Sequence, residues 1–129
     1  MASVPEEFAD LLTRPLFSHL ATVRPDNTPQ VNMMWFLWDG EFLRFTHTTP
    51  RQKYRNLQAN PAIAMSVADP DNGYRFLEVR GVLDRVEPDP TGDFYGVLAA
   101  RYGNPPTEPV ADAAVRVVLV IRPTKFIGH

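Results

Sequence analysis

Thr46-His-Thr-Thr-Pro-Arg-Gln-Lys-Tyr-Arg-Asn-Leu-Gln-Ala-Asn-Pro61 is the stretch on which the fold reading turns. It reads as the end of a strand, a tight turn and a short helix. Thr49 suits the N-cap, Pro50 the first helical position and Gln52 the third, a capping-box arrangement. Asn60-Pro61 should end the helix, because a residue before proline is pushed out of the helical region. The charges run against the usual preference. A helix start favours Asp and Glu, since its free N–H groups and dipole make that end positive. Here Arg51, Lys53 and Arg55 crowd the start, and no acid lies between Thr46 and Pro61. Such a cluster suits an anion, and a phosphate matches free N–H groups plus cationic side chains. The alternative is a basic helix that only solvates a surface. Leu57 and Tyr54 are the apolar anchors. Lys53, one turn from Leu57, should therefore lie near the packed edge and makes a better ligand candidate than Arg55.

Upstream, Leu16 to Arg24 reads as a strand, Pro25 to Pro29 as a turn and Gln30 to Trp38 as a second strand. Asp39-Gly40 marks a hairpin turn into a third strand, Glu41 to Thr48, and the three are expected to form an antiparallel meander. The second strand carries large apolar groups on both faces: Val31, Met33, Trp35 and Leu37 on one, Met34, Phe36 and Trp38 on the other. It is expected to be covered on both sides, by the core on one and by a ligand or second subunit on the other, or else to be a central strand. Gln30 and Asn32 either hydrogen-bond a ligand edge or satisfy a neighbouring backbone. Before all this, Pro5 to Thr13 suggests a short helix capped by Ser3, with Phe8, Leu11 and Leu12 plugging one end of the sheet.

Downstream, Ala62 to Ala68 reads as a buried strand and Asp69 to Gly73 as a turn, with Asn72-Gly73 suited to positive φ. Tyr74 to Val86 is a long strand in which Gly81 suggests a bulge or close backbone approach. Tyr74 and Arg75, at its start, can face a ligand or only solvent. Pro90 to Tyr102 is a helix ending at Gly103. A proline-rich loop, a strand from Val115 to Ile121 and a short closing segment follow. Six strands with two or three short helices fit a small closed or split antiparallel β-barrel, one domain over residues 1–129. Aromatic residues on outer faces suggest a homodimer.

Composition sets limits. The 129 residues are 44% hydrophobic and 22% charged, as in an ordinary globular protein with a real core. A net charge of −2 argues against nucleic acid as a partner and leaves the basic cluster a local feature suited to a small phosphorylated ligand. The absence of cysteine excludes disulfides, thiol catalysis and zinc–thiolate sites. No apolar run approaches a membrane span and no signal-peptide pattern opens the chain, so a cytoplasmic location is expected. His19, His47 and His129 lack metal-ligand spacing and read as structural; no metal site is expected. No catalytic residue can be named from the pattern. An anion site without a marked acid, base or nucleophile suggests chemistry left to a cofactor.

The run TVRPDNTPQVNMMWFLWDGEFLRFTHTTPRQKYRNLQANPAIAMSV, Thr22 to Val67, resembles the flavin and deazaflavin split-barrel superfamily, which includes the pyridoxamine 5'-phosphate oxidases and the F420-dependent oxidoreductases. The likeness runs from about Leu16 to Gly81 and more weakly from Arg116 to Gly128. Its most specific piece is Pro-Arg-x-Lys-x-Arg-Asn-Leu, Pro50 to Leu57, which is similar to the F420 branch more than to the FMN branch. The resemblance implies a six-stranded split barrel, homodimeric, with the cofactor at the subunit interface. The strand Gln30 to Trp35, with Gln30, Asn32 and Trp35 as its candidates, would border the ring; Phe45 to Thr49, with Thr46, Thr48 and Thr49 as its candidates, would line the side-chain path. Arg51 and Lys53 would take the phosphate. Tyr74 and Arg75 would reach the partner's site, and Arg55 or Lys125 would suit the polyglutamate tail of F420. The implied activity is hydride transfer between coenzyme F420 and an unsaturated or quinone-like small molecule. The alternatives are an FMN flavoprotein and a non-enzymatic cofactor-binding protein. The sequence ends at His129 without the longer C-terminal segment with which pyridoxamine-phosphate oxidases bind substrate, so that oxidase activity is not expected.

Overall fold

The computed structural model describes residues 2–129 and is mainly β. Seven strands form one antiparallel sheet: β1 (Ser18–Val23), β2 (Pro29–Met34), β3 (Leu37–Trp38), β4 (Leu43–Thr48), β5 (Ala62–Asp69), β6 (Asn72–Pro88) and β7 (Arg116–Gly128). Their order in space is β2-β1-β5-β6-β7-β4-β3. The order explains the closure. β2 and β3 are the two outer edges, yet they are joined by Trp35 and Phe36 alone. Three Cα steps span at most about 11 Å. The sheet must therefore curl until its edges nearly meet, which is a split barrel.

The expected six strands are seven because the second one breaks. Phe36 turns inward and is fully buried. Its N–H donates to the Tyr102 hydroxyl at 3.1 Å and its carbonyl accepts from Arg101 Nε at 3.1 Å. Both residues come from the end of helix α3 (Asp93–Arg101) and take the place of ladder partners. The expected meander is likewise corrected. β1 separates β2 from β5, and β4 pairs with β7 rather than with β2. β2 is an edge, not a central strand, and Val31 and Met33 on it are exposed at 62% and 60%.

The curl also needs bends. The 17-residue β6 shifts register against β7 at Arg80/Gly81 and again at Leu83/Arg85. Gly81 is required at the first, because a Cβ there would lie 2.7 Å from the Arg122 carbonyl oxygen. The close approach expected from sequence is thus present. Leu20, Phe45, Met65, Val79, Leu119 and Ile121 fill the interior. Leu11 and Leu12 of α1 (Asp10–Thr13) close one end, as expected, although Ser3 does not cap it and a 3₁₀ turn, Glu6–Phe8, precedes it. The last carbonyls of α1 are held by Arg101, which donates to Leu12, Thr13 and Arg14.

Four further boundaries differ from the sequence reading. Helix α2 spans Gln52–Ala59 with Arg51, not Thr49, at its N-cap, and no side chain caps it. The Pro50 turn delays the helix, and Gln52 bonds within the helix instead of closing a capping box: its amide donates to Asn56 and its oxygen accepts from Arg55. The α2 C-terminus falls at Asn60, extended before Pro61, as the proline predicted. The hairpin between β5 and β6 turns at Pro70-Asp71, with Asp69 opposite Asn72, so neither Asn72 nor Gly73 takes positive φ. Helix α3 starts at Asp93 rather than Pro90, with its first N–H groups held by the buried Asp89 carboxylate, which accepts from Phe94 and Tyr95. The closing segment after Ile121 is not separate but continues β7 to Gly128.

Candidate functional site

The open seam of the barrel is walled by the β2 edge, the end of β4, the start of β7 and the first turn of α2. Two adjoining recesses lie there, of about 250 and 280 Å³. Met33, Met34, His47 and Arg51 line both. The first adds Phe17, Trp35, Thr46, Thr48 and Arg116; the second adds Gln30, Asn32, Gln52 and Lys53. No Asp or Glu lines either.

α2 is positioned by Asn56, which is fully buried. Its amide donates to Thr22 Oγ1 at 3.0 Å on β1 and to Gln30 Oε1 at 2.8 Å on β2. One side chain therefore pins the helix to two strands and orients the basic first turn. The first intrahelical bond is from Arg55 N–H to the Arg51 carbonyl, so the N–H groups of Gln52, Lys53 and Tyr54 have no helical partner.

Lys53 lies at the packed edge, as its place beside Leu57 suggested, and is only 3% exposed. Its ammonium donates to Met34 Sδ at 2.9 Å, a weak acceptor, and among the described residues it joins no salt bridge. Burial, reinforced by Arg51, pushes its pKa down to about 8. A buried amine without a counter-charge, at the open end of a helix, is an arrangement that an anion stabilises.

His47 points inward from β4 and is 5% exposed. Burial first, then the charges of Lys53, Arg51 and Arg116, push its pKa down to about 3, so the imidazole is neutral. Its Nε2 and the Asn32 Oδ1 are buried without a hydrogen-bond partner among the described residues. Arg116 donates to Thr46 Oγ1 at 3.0 Å, lies 4.3 Å over the Tyr95 ring and is paired with Asp112. Trp35 stacks on Tyr102 with centroids 5.2 Å apart.

Seven of the candidates from sequence line this cleft: Gln30, Asn32, Trp35, Thr46, Thr48, Arg51 and Lys53. Thr49, Arg55 and Tyr74 do not. Thr49 sits in the turn with its N–H bonded to the Val115 carbonyl. Arg55 is exposed and donates to the Pro50 carbonyl and Gln52 of its own helix start. Tyr74 stands 93% exposed at the far hairpin, and neighbouring Arg75 is committed to Asp10, Asp69 and the Glu7 carbonyl within the chain. Lys125 lies nine residues along β7 from Arg116, about 30 Å away at strand rise. Phe17, Gln52 and Arg116 line the cleft without having been site candidates, whereas His47 falls within the Phe45 to Thr49 path that the resemblance implied. His47 lay inside the quoted basic run, and its inward parity with Leu43 and Phe45 was the available signal. A larger cavity of about 440 Å³ lies near Trp38, Phe42 and Arg122 and contains none of the candidates.

Among the described residues, no helix is long and apolar enough to cross a membrane, and no group of His, Asp or Glu is arranged to hold a metal. The family model for pyridoxamine 5'-phosphate oxidase matches residues 4–129. Among solved structures, one named F420 reductase is 68% identical with a TM-score of 0.94, over 96% of this chain and 98% of that one. A conserved hypothetical protein from Mycobacterium tuberculosis is 23% identical with a TM-score of 0.76, over 98% and 85%. General stress protein 26 from Bacillus anthracis is 18% identical with a TM-score of 0.72, over 95% and 91%. The last two are similar in fold alone. Comparison with curated proteins gives no match.

Proposed function

The chain belongs to the pyridoxamine 5'-phosphate oxidase family, and from that premise we propose that it is an oxidoreductase using bound coenzyme F420 to exchange hydride with an unsaturated or quinone-like small molecule. The observation that carries the reading is the buried, counter-ion-free Lys53 beside Arg51 in a recess that no carboxylate lines. That donor set fits a phosphate: two cations plus unpaired N–H groups at the start of an eight-residue helix. The 68% identical F420 reductase supports a deazaflavin as the group the phosphate belongs to. When bound, such a cofactor supplies the hydride chemistry.

The chain's own residues bind and exclude water. Lys53 and Arg51 hold the phosphate. Thr46 and Thr48 line the first recess, with Thr49 and Arg55 outside it as helix-start scaffolding. Gln30 and Asn32 line the second recess, and Gln30 is fixed by its bond from Asn56. Trp35, stacked on Tyr102, and the two methionines form an apolar wall that keeps water from a flat ring. The assembly that completes the site is a homodimer. Phe17, Val31 and Met33 are exposed at 51–62% on and beside the cleft rim, a surface suited to a second subunit. Tyr74, projecting from the β5–β6 hairpin, is the residue free to contact the partner, whereas Arg75 is not.

FMN is the second reading. It carries a similar tricyclic ring, linker and phosphate, and the cations expected to favour a polyglutamate tail are committed or remote: Arg55 to its own helix start, Lys125 about 30 Å along β7. A parallel fluorescence titration of the cofactor-free protein with F420 and FMN separates the two. Tighter binding of F420 is the expected result. Preference for FMN would transfer the reading to a flavoprotein, and binding of neither would reduce the basic helix to a solvated surface.

A further inference from the structure

We propose that the thioether of Met34 is a modification site: a hydroperoxide converts it to the sulfoxide, whose oxygen captures the Lys53 ammonium and weakens the phosphate seat. The inference rests on the phosphate reading above. Lys53 Nζ donates to Met34 Sδ at 2.9 Å, and among the described residues that sulfur is the one hydrogen-bond acceptor the amine has. Met34 is the last residue of β2, is half-buried and lines both recesses. The other described methionines differ. Met33 is 60% exposed at the rim, and Met65 is 2% exposed in the core. Among the described residues, Met34 is the methionine whose sulfur holds a charged hydrogen-bond donor. It combines access from the cleft with contact to the buried cation on which the phosphate reading turns.

The step is a two-electron oxidation. The sulfur lone pair attacks the distal oxygen of the hydroperoxide, an S–O bond forms and the O–O bond breaks. The departing oxygen takes the proton of the transferred one and leaves as water, or as an alcohol from an organic peroxide. Sulfur loses two electrons and the peroxide gains them. The Lys53 ammonium beside the sulfur can donate to the departing oxygen as negative charge develops on it. The product then alters the seat. A thioether is a weak acceptor, whereas a sulfoxide is polar. At 2.9 Å no atom fits between Sδ and Nζ, so the new oxygen displaces the ammonium or sits beside it in the recess. In both cases the ammonium gains a stronger partner, and partial negative charge enters a recess that no Asp or Glu lines. A phosphate must then compete for Lys53. A phosphate already bound does the reverse: it draws the ammonium from the sulfur and covers the recess, so the cofactor-bound protein resists oxidation. Reduction of the sulfoxide restores the site.

The test treats cofactor-free protein with hydrogen peroxide. Peptide mass spectrometry locates the added oxygen, and fluorescence titration with F420 reads affinity before and after. Wild type, Met33→Leu, Met34→Leu and Lys53→Leu are compared, each against its own untreated sample, so that any affinity lost to the substitution itself drops out. Leucine for methionine conserves volume and keeps the fold. Leucine for lysine removes the charge without adding an oxidisable sulfur. Oxidised wild type and Met33→Leu should bind F420 about tenfold more weakly, the loss of one charge-assisted contact, and should recover on treatment with methionine sulfoxide reductase. Met34→Leu should change by less than about twofold. Lys53→Leu should change as little although its Met34 is oxidised, because the loss runs through the ammonium. F420 present during the treatment should slow oxidation of Met34 in the wild type. An equal loss in Lys53→Leu would mean that the oxygen only spoils the apolar wall, and would overturn the proposal. So would a loss that follows Met33, or a Met34 left unmodified while Met33 is oxidised. Failure of the untreated wild type to bind F420 would instead overturn the cofactor reading, and this inference with it.

Discussion

Replacing Lys53 with methionine should move stability and binding in opposite directions. Lys53 is 3% exposed, and its amine is pushed from the ordinary 10.5 down to about 8. At 1.36 kcal/mol per pH unit, that fall means that the buried charge costs the cofactor-free protein about 3 kcal/mol at neutral pH. The unfolded chain binds a proton at Lys53 between pH 8 and 10.5 that the folded chain has released, so wild-type stability should rise across that window. Methionine keeps the apolar stem and removes the charge. Allowing for loss of the contact to Met34 Sδ, Lys53→Met should stabilise the cofactor-free protein by about 1–3 kcal/mol, roughly 4–12 °C in Tm. Cofactor affinity should fall by about 10- to 150-fold, the loss of one charge-assisted contact of about 1.5–3 kcal/mol. Thermal unfolding at pH 7 without ligand, beside the titration, measures both. Wild-type cofactor binding should also weaken as pH rises through 8, and the variant's should not. A variant that is less stable than wild type and binds as tightly would refute the phosphate assignment and the argument from burial together.

Asn56→Ala should destabilise the protein by about 2–4 kcal/mol in denaturant titrations, because it strips partners from buried Thr22 and from Gln30. It should also weaken cofactor binding, since the α2 start is no longer pinned to β1 and β2. Tyr102→Phe leaves the N–H of buried Phe36 and the Leu16 carbonyl without their hydroxyl, at a cost of about 1–3 kcal/mol; an unchanged Tm would show that the β2–β3 crossing does not depend on it. Gly81→Ala puts a methyl 2.7 Å from the Arg122 carbonyl oxygen and should cost about 1–3 kcal/mol, read as a lower denaturation midpoint with unchanged slope.

Local signals in the chain decided much. The proline after Asn60 ended α2, the acid-free run of Arg51, Lys53 and Arg55 marked the helix start that borders the cleft, and Gly81 marked the close approach to β7. Each depends on backbone sterics or on charge within a few residues, which sequence spacing records. The positions of the other groups depended on distant partners. The second strand breaks at Trp35-Phe36 because Tyr102 and Arg101, some 65 residues away, supply the hydrogen bonds that a ladder would have supplied. That break makes β2 and β3 opposite edges of a curled sheet, and the seam between them is the cleft. His47 looked structural by spacing alone. Its neutral, orphaned imidazole results from burial together with Lys53, Arg51 and Arg116, the last delivered by β7 from 69 positions further along the chain. Periodicity can show which face a residue takes. Desolvation and the charges from other elements that meet on that face are fixed only when the sheet closes.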